Sequence, residues 1–258
     1  IGGGSWATAI VKMLCENVNS INWWMRNEDS ISHIETYGHN PNYISDAELK
    51  KEKINISSDI STVVENSDYL VLAVPSVFLK STLDSLNVSL KEKIIISAIK
   101  GIVPENNTIV GEFIHNQYDV PYKNIGVLTG PCHAEEVALE RLSYLTVACS
   151  DVEKAEFFAN SISGRYIKTT VSDDIYGTEY ASVLKNVVAL ASGICHGLGY
   201  GDNFQAVLIS NAIREIKRFV DEIHPINRDI KESAYLGDLL VTAYSQFSRN
   251  RTFGEMIG

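Results

Sequence analysis

The chain begins I-G-G-G-S-W-A-T-A-I, and this stretch limits the possible folds more than any other. Gly2, Gly4 and Ala7 stand at the three positions of a G-x-G-x-x-G/A pattern. Such a turn leaves a strand, brings backbone N–H groups close to an anion, and feeds a helix whose N-terminus favours negative charge. The neighbouring sequence fits, because Ala7 to Leu14 read as a helix opening and I-N-W-W-M at 21–25 as the next strand. Together they make one βαβ unit, the context the pattern needs. The plainer alternative is an ordinary tight turn. Only Ile1 precedes the glycines, so the first strand is expected to be cut short. At the other end R-T-F-G-E-M-I-G reads as a helix starting or a loop in mid-course, so the chain is expected to be a fragment of a longer one.

Beyond the turn, short apolar runs alternate with helical stretches. Y-L-V-L-A-V at 69–74 and K-I-I-I-S-A-I at 93–99 have the length and continuous hydrophobicity of parallel strands buried on both faces. Strands are also expected at 125–129, 143–149 and 165–170, and helices from Ser76, over 108–116 and over 151–161. Residues 38–58 are turn-rich and charged and read as a loop or short excursion, with K-K-E-K as a solvated face. After Val171 the strands stop. Ser172-Asp173-Asp174 suit the N-cap of a long helix, a second is expected over 203–223, and a third near 233–244. The expected fold is therefore α/β: a Rossmann-type doubly wound sheet over 1–170, then an all-helical domain over 171–258.

Several residues stand where chemistry is done. Arg26 follows the second strand, where an acid ~20 residues beyond the glycines would hold a ribose 2′-hydroxyl. A guanidinium there suits a 2′-phosphate, which favours NADP and leaves NAD as the second reading. Without a ligand it is a surface arginine. Glu28 and Asp29 read as first-turn acids of the next helix. Lys100 ends a strand on the ligand side of the sheet. G-P-C-H-A-E-E-V-A at 130–138 turns into a helix at another strand end. Lys185 and Asn186 interrupt an otherwise apolar helix, and a buried lysine is rare unless paired or catalytic. Its alternative is a lysine that snorkels to the surface. Ser248-Arg249-Asn250-Arg251 is a basic cluster suited to phosphate at a helix start, or else a basic surface turn.

The totals close off other classes. A net charge of −10 argues against general nucleic-acid binding. No run approaches the ~18 apolar residues of a membrane span. Cysteines 15, 132, 149 and 195 form no C-x-x-C pair, so no metal site and no disulfide framework is expected, and a reducing cytoplasm fits.

These stretches, in this order, resemble the NAD(P)-dependent glycerol-3-phosphate dehydrogenases, the bacterial type especially. The likeness runs through I-G-G-G-S-W-A-T-A, V-P-S at 74–76, K-G at 100–101 and G-P-x-x-A-x-E-V-A at 130–138. It continues through L-K-N-V at 184–187, G-x-G-x-x-D-N at 197–203, G-D-L-x-x-T at 237–242 and S-R-N-R at 248–251. The resemblance implies reversible hydride transfer between NAD(P) and C2 of dihydroxyacetone phosphate, supplying glycerol 3-phosphate for phospholipid synthesis, in a homodimer. It implies cofactor contacts from Gly2, Gly4, Ser5, Trp6, Arg26, Lys100, Ala134 and Arg249. Lys185 would be the proton donor and acceptor, assisted by Lys100 and Asp238. Gly130, Cys132, Asn186, Thr242, Ser248, Arg249 and Asn250 would meet the substrate together with those three. Cys132 departs from the Ser or Thr usual in bacterial members, and His196 reads as structural. Two rival readings are a 3-hydroxyacid or 6-phosphogluconate dehydrogenase of similar build, and a non-catalytic NADPH-binding sensor.

Overall fold

Alternating apolar and amphipathic stretches fold as strands and helices in the computed structural model, which describes residues 1–258. The elements up to residue 118 are α1 (Ser5–Asn17), β1 (Ile21–Trp24), α2 (Glu28–Tyr37), β2 (Ile54–Ser57), α3 (Ile60–Glu65), β3 (Tyr69–Leu72), α4 (Ser76–Leu83), β4 (Ile94–Ser97) and α5 (Val110–Tyr118). They continue with β5 (Ile125–Thr129), α6 (Ala134–Ala138), β6 (Ser143–Cys149), α7 (Val152–Ile162) and β7 (Ile167–Ser172). One sheet has the order β1-β2 and another β3-β4-β5-β6-β7. The pairs β1–β2, β3–β4, β4–β5 and β6–β7 are parallel, with Ile21 opposite Ile54, Leu70 opposite Ile95 and Val147 opposite Val171.

Ile1 and Gly2 lie between the two sheets. Ile1 bonds to Val71 and Ala73 on one side, and Gly2 N–H donates to Trp24 O on the other. Beyond them a cleft of about 290 Å³ separates β1 from β3 and is walled by Val11, Trp23, Tyr69 and Phe158. The sheet is wound on both faces. Ile96 packs with α1, α6 and α7 on one side, while its neighbour Ile95 packs with α3, α4 and α5 on the other. Period-two alternation in a strand buried on both faces has this consequence.

Residues 38–58 are more than a loop. I-N-I-S at 54–57 forms β2, which completes the edge beside β1. Its own alternation is too short to stand out from the charged residues around it. The lysines before it also do more than face water. Lys51 Nζ donates to the Glu35 and Thr36 carbonyls and Lys53 Nζ to Cys15 O, so they cap the C-terminal ends of α2 and α1. Cations at helix C-termini are favoured by the dipole and satisfy orphan carbonyls.

The chain divides into two units, Ile1–Leu128 with Cys132–Asp173, and Thr129–Pro131 with Asp174–Gly258. The second unit holds α8 (Ile175–Gly197), α9 (Asp202–Ile223), α10 (Asp238–Tyr244) and α11 (Arg249–Ile257). The stretch expected as one helix over 233–244 is two, a π-helical turn at Ser233–Gly237 running into α10. Such turns are rare and frequent at functional sites. The core joins Ala181 of α8, Ile209 and Ile216 of α9, Tyr235 and Leu239. Near its C-terminal end α8 meets α11 backbone to backbone. A Cβ at Gly193 would lie 2.0 Å from Arg251 O, and one at Gly254 2.2 Å from Leu190 O.

Candidate active site

The glycine turn leaves the N-terminus of α1 open. Gly2 has φ +130°, and a Cβ there would lie 2.6 Å from Ala73 O, so only glycine fits. Gly4 caps α1 with no side-chain acceptor, the first turn of α1 carries no acid, and a Cβ on Gly4 would meet nothing within 4 Å. The open end of the 13-residue helix is thus left to an outside acceptor. Trp6 Nε1 is buried without a partner, and Lys100 Nζ lies 5.8 Å from the centre of the Trp6 ring. Gly101 sits against Ser76, where a Cβ would come within 2.9 Å of Ser76 Oγ, so the V-P-S and K-G motifs meet. A helix mouth free of side chains, an unpaired indole N–H and a nearby ammonium fit a dinucleotide pyrophosphate. Arg26 is exposed just past β1, and Asn27, not Arg26, caps α2 by accepting from Ser30 N–H.

In the second unit the lysine is buried as expected and does not snorkel. Lys185 is 4% exposed and its ammonium pairs with Asp238 Oδ1, while Thr129 Oγ1 donates to Asp238 Oδ2 at 3.2 Å. Asp238 opens α10 directly after the π-turn. Thr242 is committed to its own helix, with Oγ1 donating to Asp238 O at 2.6 Å. Asn186 donates to Ser182 O at 3.3 Å. Gly130 has φ +123°, which a side chain would strain. Cys132 and Ala134 pack into the apolar core of the first unit with Leu128 and Val137. Ser248 caps α11 by accepting from Arg251 N–H, and Arg249 and Asn250 stand exposed on its first turn.

The structure therefore brings Lys185, Asp238 and Thr129 together, and Trp6 with Lys100. Arg26, Arg249 and Asn250 remain single exposed groups. Thr129 was not foreseen, because a threonine at a strand end carries no signal until Asp238 is folded beside it.

A second buried cluster supports the first. Asp174 caps α8 by accepting from Gly177 N–H. It also accepts from Arg228 Nε at 2.7 Å, Arg228 Nη2 at 3.3 Å and Tyr235 OH at 2.6 Å. Burial pushes the Asp174 carboxyl up, but the Arg228, Tyr235 and Gly177 donors outweigh it and hold it below its ordinary value. Burial, with the Asp174 hydrogen bond, pushes the Tyr235 hydroxyl up. One carboxylate thus ties the start of the helix that bears Lys185 to the π-turn that leads into Asp238. Arg228 and Tyr235 were not singled out in the sequence, since their partner lies 54 and 61 residues away.

A glycine-turn α/β unit followed by a helical unit with a buried lysine–aspartate pair defines a nicotinamide-dependent dehydrogenase of the two-domain class. The profile described as NAD-dependent glycerol-3-phosphate dehydrogenase N-terminus matches residues 1–155, and that of the C-terminus matches 174–258. The chain belongs to the NAD-dependent glycerol-3-phosphate dehydrogenase family. It is 35% identical over 260 residues to the glycerol-3-phosphate dehydrogenase [NAD(P)+] of an Exiguobacterium species, covering 100% of this chain and 76% of that protein. The enzyme of the same description from Macrococcus caseolyticus is 34% identical, with 100% and 78% covered. Among solved structures, the glycerol-3-phosphate dehydrogenase of Coxiella burnetii superposes with a TM-score of 0.88 at 25% identity, over 99% of this chain and 78% of that one. That of Saccharomyces cerevisiae gives 0.85 at 26% identity, over 99% and 79%. No helix is long and apolar enough to cross a membrane.

Proposed function

We propose that the chain interconverts sn-glycerol 3-phosphate and dihydroxyacetone phosphate with NAD(P), the first unit holding the dinucleotide and the second the proton-transfer and phosphate-binding groups. The observation that carries the reading is the buried Lys185–Asp238 pair on a helical unit beyond a glycine-turn fold. A bound nicotinamide would supply the hydride chemistry at C2 of the ketone or alcohol. Reduction leaves an alkoxide that needs a proton, and Lys185 Nζ is the group to give it and to take it back in the reverse direction. Asp238 holds the ammonium in place, and Thr129 fixes the carboxylate that does so. Burial keeps water from competing for that proton.

Lys100 and Trp6, adjacent to the glycine turn, serve the pyrophosphate and the substrate end of the cofactor. Arg26 serves the adenosine 2′-phosphate, so NADP is preferred over NAD. Arg249 and Asn250, with the first N–H groups of α11, serve the substrate phosphate, and Asn186 and Gly130 the carbon chain. Supply of glycerol 3-phosphate for phospholipid synthesis, a homodimer and a cytoplasmic setting belong to the same proposal through the family resemblance. Four cysteines outside any disulfide suit a reducing compartment.

The test is oxidation of NADPH and of NADH by the purified protein with dihydroxyacetone phosphate, set against hydroxyacid and 6-phosphogluconate substrates. Turnover of dihydroxyacetone phosphate with NADPH favoured is expected. Turnover of a hydroxyacid alone would move the chain to the rival dehydrogenases, and cofactor binding with no turnover would make it a sensor.

A further inference from the structure

The glycine turn is held by residues outside its own pattern. Its three successive carbonyls are each pinned by a side-chain donor from a different segment. Trp23 Nε1, on β1, donates to Gly2 O at 2.6 Å. Asn40 Nδ2, from the 38–58 excursion, donates to Gly3 O at 3.2 Å. Thr8 Oγ1, on α1, donates to Gly4 O at 3.0 Å and accepts from Asn40 Nδ2 at 2.9 Å. Thr8 is 0% and Asn40 1% exposed, so water cannot replace these bonds. Asn40 is fixed in turn, since its Oδ1 accepts from Asn42 N–H at 3.0 Å.

In a trans peptide the carbonyl of one residue and the N–H of the next point in opposite directions, and the chain has no cis peptide. Pinning the Gly2, Gly3 and Gly4 carbonyls inward therefore aims the N–H groups of Gly3, Gly4 and Ser5 outward. None of those three N–H groups has a backbone acceptor. Successive outward N–H groups at a helix N-terminus form an anion nest. We propose that Trp23, Asn40 and Thr8 are positioning residues that preset this nest for the cofactor pyrophosphate, so that binding does not have to order a flexible glycine turn. The proposal rests on the dinucleotide reading of the first unit.

The experiment is calorimetric titration of ADP-ribose and NADPH into wild type, Thr8→Val, Thr8→Ser and Asn40→Ala, with far-UV circular dichroism and thermal melting of each. ADP-ribose carries the pyrophosphate but neither nicotinamide nor 2′-phosphate, so its Kd reads the nest. Thr8→Val replaces a hydroxyl by a methyl at constant volume and decides the matter even if Asn40→Ala does not fold. The expected result is an ADP-ribose Kd raised by about tenfold or more in Thr8→Val, and a return to within about threefold of wild type in Thr8→Ser, which keeps the hydroxyl. A lowered melting temperature with Kd within about twofold of wild type would show a merely structural role and overturn the proposal. Wild type that binds neither ADP-ribose nor NADPH would remove the dinucleotide reading as well, which separates the two failures.

Discussion

Replacing Arg228 by methionine removes the guanidinium from the carboxylate that starts α8. Asp174 accepts from Arg228 Nε and Nη2, Gly177 N–H and Tyr235 OH, and the change removes both bonds from Arg228. At 2% exposure Asp174 cannot recover the lost bonds from water. Breaking one side of a buried ion pair costs about 3–5 kcal/mol, and the surviving donors place Asp174 at about 3. Asp221, the other carboxylate paired with Arg228, has a side chain 33% exposed and keeps Lys217, so it adds at most about 1 kcal/mol. Urea titration followed by circular dichroism at 222 nm measures the total. Tryptophan fluorescence serves as the control, because Trp6, Trp23 and Trp24 all lie in the first unit and should report an unchanged transition.

The sign of the pH dependence gives a sharper check. In the wild type the folded Asp174 lies below its ordinary value of 3.8, so its contribution is present above 3.8 and is lost as pH falls further. Removing Arg228 takes away influences that hold the carboxyl down, so the folded carboxyl of the variant lies above that of the wild type. The folded variant therefore takes up its proton at higher pH than the folded wild type, so acidification costs it less stability. The deficit of Arg228→Met should therefore shrink on acidification. A deficit under about 1 kcal/mol at neutral pH, or one that grows on acidification, would refute the reasoning.

Lys185→Met should lower turnover of dihydroxyacetone phosphate by about 10²–10⁴-fold while NADPH binding, measured by fluorescence titration, stays near wild type. Gly4→Ala should keep its melting temperature, since the new Cβ meets open space, yet raise the NADPH Kd by about tenfold by filling the helix mouth, whereas Gly2→Ala should lose stability itself. Arg249→Ala should raise KM for dihydroxyacetone phosphate with little change in that for NADPH, and an unchanged KM in steady-state assays would remove its phosphate role. Gly193→Ala should cost about 1–3 kcal/mol or more, read by urea titration at 222 nm, because its Cβ would fall 2.0 Å from Arg251 O.

The sequence by itself determined what acts within a few residues. Apolar runs placed β3, β4, β5, β6 and β7, the glycine spacing placed the mouth of α1, and side chains that reach the N–H group three residues on placed the starts of α2, α7, α8 and α11. These are local bonds, so local order encodes them. Tertiary structure alone decided the rest. I-N-I-S became β2 because β1 offered it an edge, not because its pattern demanded a strand. Lys185 found Asp238 across 53 residues, Arg228 found Asp174 across 54, and Asn40 found Thr8 across 32. A buried polar group must be partnered, but its sequence neighbourhood does not name the partner; only packing, by choosing which faces close on one another, does.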